Sequence, residues 1–258
     1  FIFYKNMIRN KIYLIPNLLT TGSVLCGFVS IIYSFNDSLV IAANLLLVAF
    51  VLDGLDGRVA RMTKTTSDFG AQYDSLSDAV SFGVAPSVLL YQWFLKDVNF
   101  LINSWLELGV IIASLYLVSV LLRLARFNSA KSSDFFIGLP CPLGAIFVSL
   151  SFIISSKFEV DATLYKEIFV FLTVLVSFLM ISKFSYFSFK NFGSNEKIKF
   201  YWLFFVIFLL VITLINPIMV LFVLATIYSL SGPTMHVIRQ FKKRKTIHLD
   251  KNRDDYGK

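Results

Sequence analysis

Four aspartates stand inside the most apolar part of this chain. Asp53 and Asp56 fall near the end of one long apolar segment, Asp74 and Asp78 near the start of the next. A carboxylate at membrane depth costs roughly 2.5–3.5 kcal/mol on insertion scales, so its presence there points to function. At about 100° per residue, Asp53, Asp56, Gly57 and Ala60 share one helical face, with Arg61 at its edge. Gly70, Asp74 and Asp78 recur every four residues and form a second seam. Two facing helices then present two carboxylates each, beside small residues that leave room for a ligand. Four anions so close repel one another unless cations neutralise them. Hard oxygen donors without His or Cys suit Mg²⁺ or Mn²⁺ rather than zinc. Four carboxylates can hold two such ions, an arrangement that polarises a phosphoryl group and stabilises a leaving oxygen. Ion pairing with Arg58, Arg61 or Lys64 at the membrane edge is the plainer alternative. It accounts for neither the spacing nor the glycines.

The elements that must position these groups are membrane helices. Hydrophobic residues make up 57% of the 258 positions and the mean hydropathy is +0.73, which excludes an ordinary soluble domain. Apolar runs between polar breaks predict an all-α polytopic protein with eight spans, at about 17–35, 38–62, 68–95, 101–127, 141–156, 164–183, 200–215 and 217–240. Met7, Ile8, Lys11, Ile12 and Ile15 have helical spacing with charges opposite, which suits an N-terminal amphipathic helix lying in the interface. No removable leader is expected, because the first apolar segment lacks a small-residue cleavage site. Cys26 and Cys141 are flanked by apolar residues without metal-ligand spacing and read as small packing residues. The whole chain, 1–258, reads as one integral membrane domain that ends in a basic tail at 241–258.

Charge orients the spans. With the N-terminus in the cytoplasm, 21 basic residues fall on the cytoplasmic side against three outside (Lys96, Lys157 and Lys166). Both termini are then cytoplasmic, and the net charge of +8 reflects this bias together with attraction to anionic headgroups. The Lys242–Lys245 run follows a span directly, which argues against a nucleic-acid partner. In this topology Asp53 lies roughly 13 Å before the end of its helix, and all four aspartates meet in a cavity open to the cytoplasm.

The pattern Asp53-x2-Asp56-Gly57-x2-Ala60-Arg61-x8-Gly70-x3-Asp74-x3-Asp78 resembles the signature of the CDP-alcohol phosphatidyltransferases, with every fixed position matched. The resemblance implies a six-helix core, here with two further spans. It implies that Asp53, Asp56, Asp74 and Asp78 ligate two divalent cations, Mg²⁺ or Mn²⁺, and that Asp78 also deprotonates the acceptor alcohol. Gly57, Ala60, Arg61 and Gly70, with Asp56, would surround the CDP moiety. Pro16-Asn17-Leu18-Leu19-Thr20 resembles the entrance to the family's first membrane helix, where Asn17 and Thr20 would approach the pyrophosphate. A homodimer in a bacterial cytoplasmic membrane is implied as well, although no span shows a GxxxG face.

The acceptor is read from other stretches. Residues 74–86 (DSLSDAVSFGVAP), Arg123-Leu124-Ala125-Arg126-Phe127-Asn128 and Gly138-Leu139-Pro140-Cys141-Pro142 are similar to the bacterial branch of the family that uses serine. Its substrates would be CDP-diacylglycerol and serine. Arg123 and Arg126 end the fourth span, where they could grip a carboxylate by bidentate hydrogen bonds or serve as positive-inside anchors. Glycerol 3-phosphate would also want arginines, and inositol remains a third acceptor. A cation or proton transporter is the competing class. All four aspartates lie in one half of the membrane, the other half lacks ionisable residues to complete a path, and no inverted repeat is evident.

Overall fold

The computed structural model describes residues 14–98, 101–103, 106–129, 136–160, 164–186 and 216–255. Helices α1 (Leu14–Phe35) and α2 (Leu39–Thr63) form an antiparallel pair with the most extensive contact in the molecule. Asp37, in the left-handed region at φ 56°, makes the tight turn between them. Lys64, at φ 55°, ends α2 and returns its N–H to the carbonyls of Ala60 and Arg61. Ser67 then opens α3 (Asp68–Asp78), its hydroxyl accepting the Gly70 N–H at 3.0 Å.

From Asp78 the chain stays helical but changes period. Ala79–Val84 is a π-helical turn, followed by α4 (Ala85–Trp93). The wider turn shifts the helical phase, so Asp74 and Asp78 face the other carboxylates while Phe82, Ala85 and Leu89 enter the core with no exposed surface. Neighbouring helices hold this segment closely. The Ser81 hydroxyl donates to the Ser23 carbonyl at 3.0 Å, and the Tyr116 phenol donates to the Phe82 carbonyl at 3.2 Å. A Cβ on Gly27 of α1 would lie 2.7 Å from the Ser81 Cα, so only glycine fits there.

Helix α5 (Leu108–Ser129) packs on the π turn and on α7 (Lys166–Ile181), whereas α6 (Cys141–Lys157) sits between α2 and α8 (Pro217–Asp255). Two short antiparallel ribbons complete the described chain: β1 (Leu101–Asn103) with β2 (Leu106–Glu107), and β3 (Phe136–Ile137) with β4 (Ser185–Tyr186).

Among the described residues, four helices are long and apolar enough to cross a bilayer: α1, α2, α5 and the Pro217–Val237 part of α8. The bundle is apolar outside as well as in its core, and its buried polar groups are small hydroxyls. Leu18, Leu25, Phe28, Val51, Val118 and Leu122 are exposed, while Ser30, Ser34, Ser119, Ser149 and Ser177 are buried. The buried hydroxyls are satisfied without water. Ser34, Ser119, Ser149 and Ser177 each donate to the carbonyl four residues earlier, and Ser30 donates across to Ala42 at 2.9 Å. Small polar residues inside and large apolar ones outside are what helix packing in lipid requires. The protein is an integral membrane protein.

Helices occupy the expected spans at 17–35, 38–62, 68–95, 141–156 and 164–183. The fourth starts later than its hydropathy suggests, at Leu108 rather than 101, because Leu101–Asn103 pairs with Leu106–Glu107 as a ribbon. Asn99, Asn103 and Ser104 are poor helix formers that compete for backbone hydrogen bonds. Gly109 then packs so tightly that a Cβ would lie 2.1 Å from the Leu95 carbonyl oxygen. The last helix runs past 240 to Asp255, so the basic stretch expected as a tail is largely its continuation. The expected amphipathic helix around Met7 and the span at 200–215 lie outside the described residues.

Gly27→Ala should destabilise the protein by about 1–3 kcal/mol through overpacking against Ser81. Gly54, with nothing within 4 Å of an added Cβ, should accept alanine without loss. Thermal unfolding of both variants in detergent checks the pair, and equal behaviour would show that the contact at Gly27 is not tight.

Candidate active site

Three helices build one end of the bundle around the aspartates. Asp53 and Asp56 come from the last turns of α2, Asp74 and Asp78 from α3, and Pro16, Asn17 and Thr20 from the start of α1. Carboxylate oxygens of Asp53, Asp56 and Asp74 all lie within 4.8 Å of one another. Asp78 completes the group, close enough to Asp53 and Asp74 to interact with both electrostatically. The two seams therefore face each other as the periodicity requires.

Thr20 fixes the most buried of the four. Its hydroxyl lies 2.6 Å from Asp56 Oδ2 and 3.1 Å from the Pro16 carbonyl, so its one hydrogen chooses between them. A second tie joins Thr21 of α1 to Tyr73 of α3, their hydroxyls 2.9 Å apart. The remaining carboxylate capacity is unspent: Asp74 Oδ1 and Asp78 Oδ1 are buried without a hydrogen-bond partner. Buried carboxylate oxygens in that condition are costly unless a cation takes them. An all-oxygen donor set with two orphaned atoms fits a hard divalent cation such as Mg²⁺ or Mn²⁺.

Beside the cluster lies a cavity of about 260 Å³. Asn17, Thr20, Asp56, Gly57, Ala60, Arg61 and Gly70, each expected near a nucleotide, all line it. The glycines keep it open. A Cβ on Gly57 would come within 3.5 Å of Arg61 Nη1, and one on Gly70 within 3.2 Å of Ser67 Oγ and 3.6 Å of Asn17 Oδ1. Asp74 lines the same space, so cavity and carboxylates are continuous.

Sequence reasoning missed the opposite wall, formed by Thr65, Thr66 and Ser67. The signal was present as a helix start, since Thr-Thr-Ser before Asp68 is an N-cap run. It places hydroxyls and the N-terminus of α3 against the cavity, an arrangement that favours phosphate.

The two arginines of α5 separate in space. Arg123 is only 8% exposed, close enough to Asp78 to interact electrostatically, and its Nη1 donates to the Cys141 sulfur at 3.3 Å. Arg126 instead donates from Nη1 to the carbonyls of Ile181 at 2.9 Å and Ser182 at 3.2 Å, capping the end of α7. Asn128, from the same resembling stretch, accepts the Ser75 hydroxyl at 3.0 Å and ties α5 to α3.

Comparison with known proteins matches this architecture. The CDP-alcohol phosphatidyltransferase family model matches residues 13–179, which include all of α1 through α6 and both aspartate seams. CDP-diacylglycerol–serine O-phosphatidyltransferases of two Helicobacter pylori strains are 36% identical over 95% of this chain and 98% of their own length. The enzyme of the same name from Mycobacterium leprae is 41% identical over 52% of this chain and 45% of its own. An archaetidylserine synthase of Methanothermobacter thermautotrophicus is 35% identical over 67% of this chain and 69% of its own. With the family model spanning more than half of its length and relatives aligned almost end to end, this chain belongs to the CDP-alcohol phosphatidyltransferase family.

Proposed function

We propose that this protein transfers the phosphatidyl group of CDP-diacylglycerol to the hydroxyl of L-serine, releasing CMP. The observation that carries this reading is the carboxylate cluster opening directly onto a glycine-lined cavity. The choice of serine is supported by relatives bearing that activity in their names along nearly the whole chain.

In this reading CDP occupies the cavity between α1, α2 and α3. Asn17, Thr20 and the Thr65–Ser67 wall face its phosphates, and Gly57, Ala60 and Gly70 admit it by their small size. Two divalent cations held by Asp53, Asp56, Asp74 and Asp78 would supply charge neutralisation for the pyrophosphate oxygens. Asp78 accepts the proton of the serine hydroxyl. The freed oxygen forms a bond to the lipid-linked phosphorus, and the bond to the CMP oxygen breaks, CMP leaving with its electron pair. Arg61, at the cavity wall, stabilises the charge that builds on the departing phosphate. Arg123 receives the serine carboxylate, and Arg126 supports that site indirectly by holding the end of α7.

The proposal places the protein in a bacterial inner membrane, with eight spans, the aspartate end facing the cytoplasm and both termini on that side. It is supported by the distribution of basic residues. The helix ends carrying Arg58, Arg61, Arg123 and Arg126 gather at the aspartate end. A homodimer belongs to the proposal on family resemblance.

CMP release from CDP-diacylglycerol by purified protein, with serine, glycerol 3-phosphate or inositol supplied separately, tests the acceptor. Serine should exceed the others by at least about tenfold, and preference for another alcohol would keep the family and overturn the acceptor. Asp78→Asn should lower kcat by roughly 10²–10⁴, the range of a lost general base, while CDP-diacylglycerol still binds. Near-native turnover in that variant would remove the base assignment. Chelation should abolish CMP release and Mg²⁺ or Mn²⁺ should restore it; full activity in excess chelator would eliminate the metal-dependent reading.

A further inference from the structure

Arg123 has an unusual partner for a buried cation. It meets no carboxylate within ion-pair distance among the described residues, and its Nε is buried without any hydrogen-bond partner. Its contact is the Cys141 sulfur, 3.3 Å from Nη1, and the Cys141 thiol in turn reaches the Val120 carbonyl at 3.8 Å on Arg123's own helix. A carboxylate in place of the thiol would neutralise the guanidinium. A sulfur is a weak acceptor, so it can fix the direction of one N–H and leave the charge available to a substrate.

Cys141 is itself held in place from several sides. It is the first residue of α6, after Pro140, and has no exposed surface. The turn before it hooks over the end of α7: Gly138 donates to the Phe184 carbonyl at 2.9 Å and Leu139 to the Leu179 carbonyl at 3.0 Å. Gly138 adopts φ +81°, where a side chain would also strike the Met180 carbonyl. Arg126 grips the same helix end through Ile181 and Ser182. Arg126 thus fixes α7, α7 fixes the turn, and the turn delivers a sulfur to Arg123.

We infer that Cys141 is a positioning residue for the acceptor, orienting the Arg123 guanidinium toward the carboxylate of the incoming amino acid. The inference deepens the serine reading above and rests on it. A hydrogen bond to a charged group contributes enough that its loss should weaken acceptor binding about tenfold. The cavity proposed for the lipid nucleotide is lined by neither Arg123 nor Cys141, so its binding should be unaffected.

The test measures CMP release in Cys141→Val, Cys141→Ala, Cys141→Ser and Arg123→Gln, varying serine and CDP-diacylglycerol in turn. Valine and alanine should raise the KM for serine about tenfold with the KM for CDP-diacylglycerol within about twofold of native. Serine at 141 keeps an acceptor and should restore the KM for the amino acid to within about threefold. A native serine KM in both apolar variants overturns the inference. So does a fall in kcat with both KM values unchanged, which would mark Cys141 as packing alone. If Arg123→Gln raises the serine KM while the apolar variants do not, only the role of Cys141 falls. If Arg123→Gln leaves the serine KM native, the carboxylate grip falls and takes this inference with it.

Discussion

Carboxylate oxygens within 4.8 Å of one another, half-buried at the end of a helical bundle, repel more strongly than on a protein surface. The arrangement around them answers that repulsion without cancelling it. Thr20 takes one oxygen of Asp56, whereas Asp74 and Asp78 each keep a buried oxygen without a hydrogen-bond partner. Yet among the described residues the ion pair within 4 Å joins Lys96 to Asp37, at 3.8 Å and away from the aspartates. Arg61 and Arg123 stand near the cluster without forming such a pair with it. Negative charge is thus left uncompensated at the cluster, with two guanidinium groups close by.

Close helix approach makes this possible. Gly27 against the π turn and Gly83 against Val120 bring α1, the continuous helix from α3 through the π turn to α4 (the central rod) and α5 into close contact, as small residues do in lipid. The same economy puts serine hydroxyls in the interior, each returned to a carbonyl. Rigidity of that kind suits a functional site, whose groups must be held to fractions of an ångström.

Much of this was legible in the sequence because the relevant signals are local and periodic. Asp53, Asp56, Asp74 and Asp78 recur at helical spacing, so their convergence follows from two helices meeting face to face. Hydropathy located most spans for the same reason. The ribbon of Leu101–Asn103 with Leu106–Glu107 was not legible, since its apolar content matches a helix and only Asn103 and Ser104 argue otherwise. The π turn was hidden as well: Ala79–Val84 reads as ordinary helix, and its widening is imposed by α1 and α5. Arg123 and Arg126 look equivalent in the sequence, and long-range contacts alone tell them apart. Cys141 was read as packing, which its burial supports, but a contact across 18 residues of sequence leaves no periodic trace.

The π turn divides the central rod into two parts with separate obligations. Below it, the rod carries carboxylates whose orientation is dictated by chemistry; above it, the rod carries Phe82, Ala85 and Leu89, whose orientation is dictated by packing. In an uninterrupted α-helix these two requirements would be coupled at about 100° per residue, and any repacking of the upper half would rotate the lower. A turn of different period acts as a phase joint. It lets the core-packed half adjust to the helices around it while the acidic half keeps its heading.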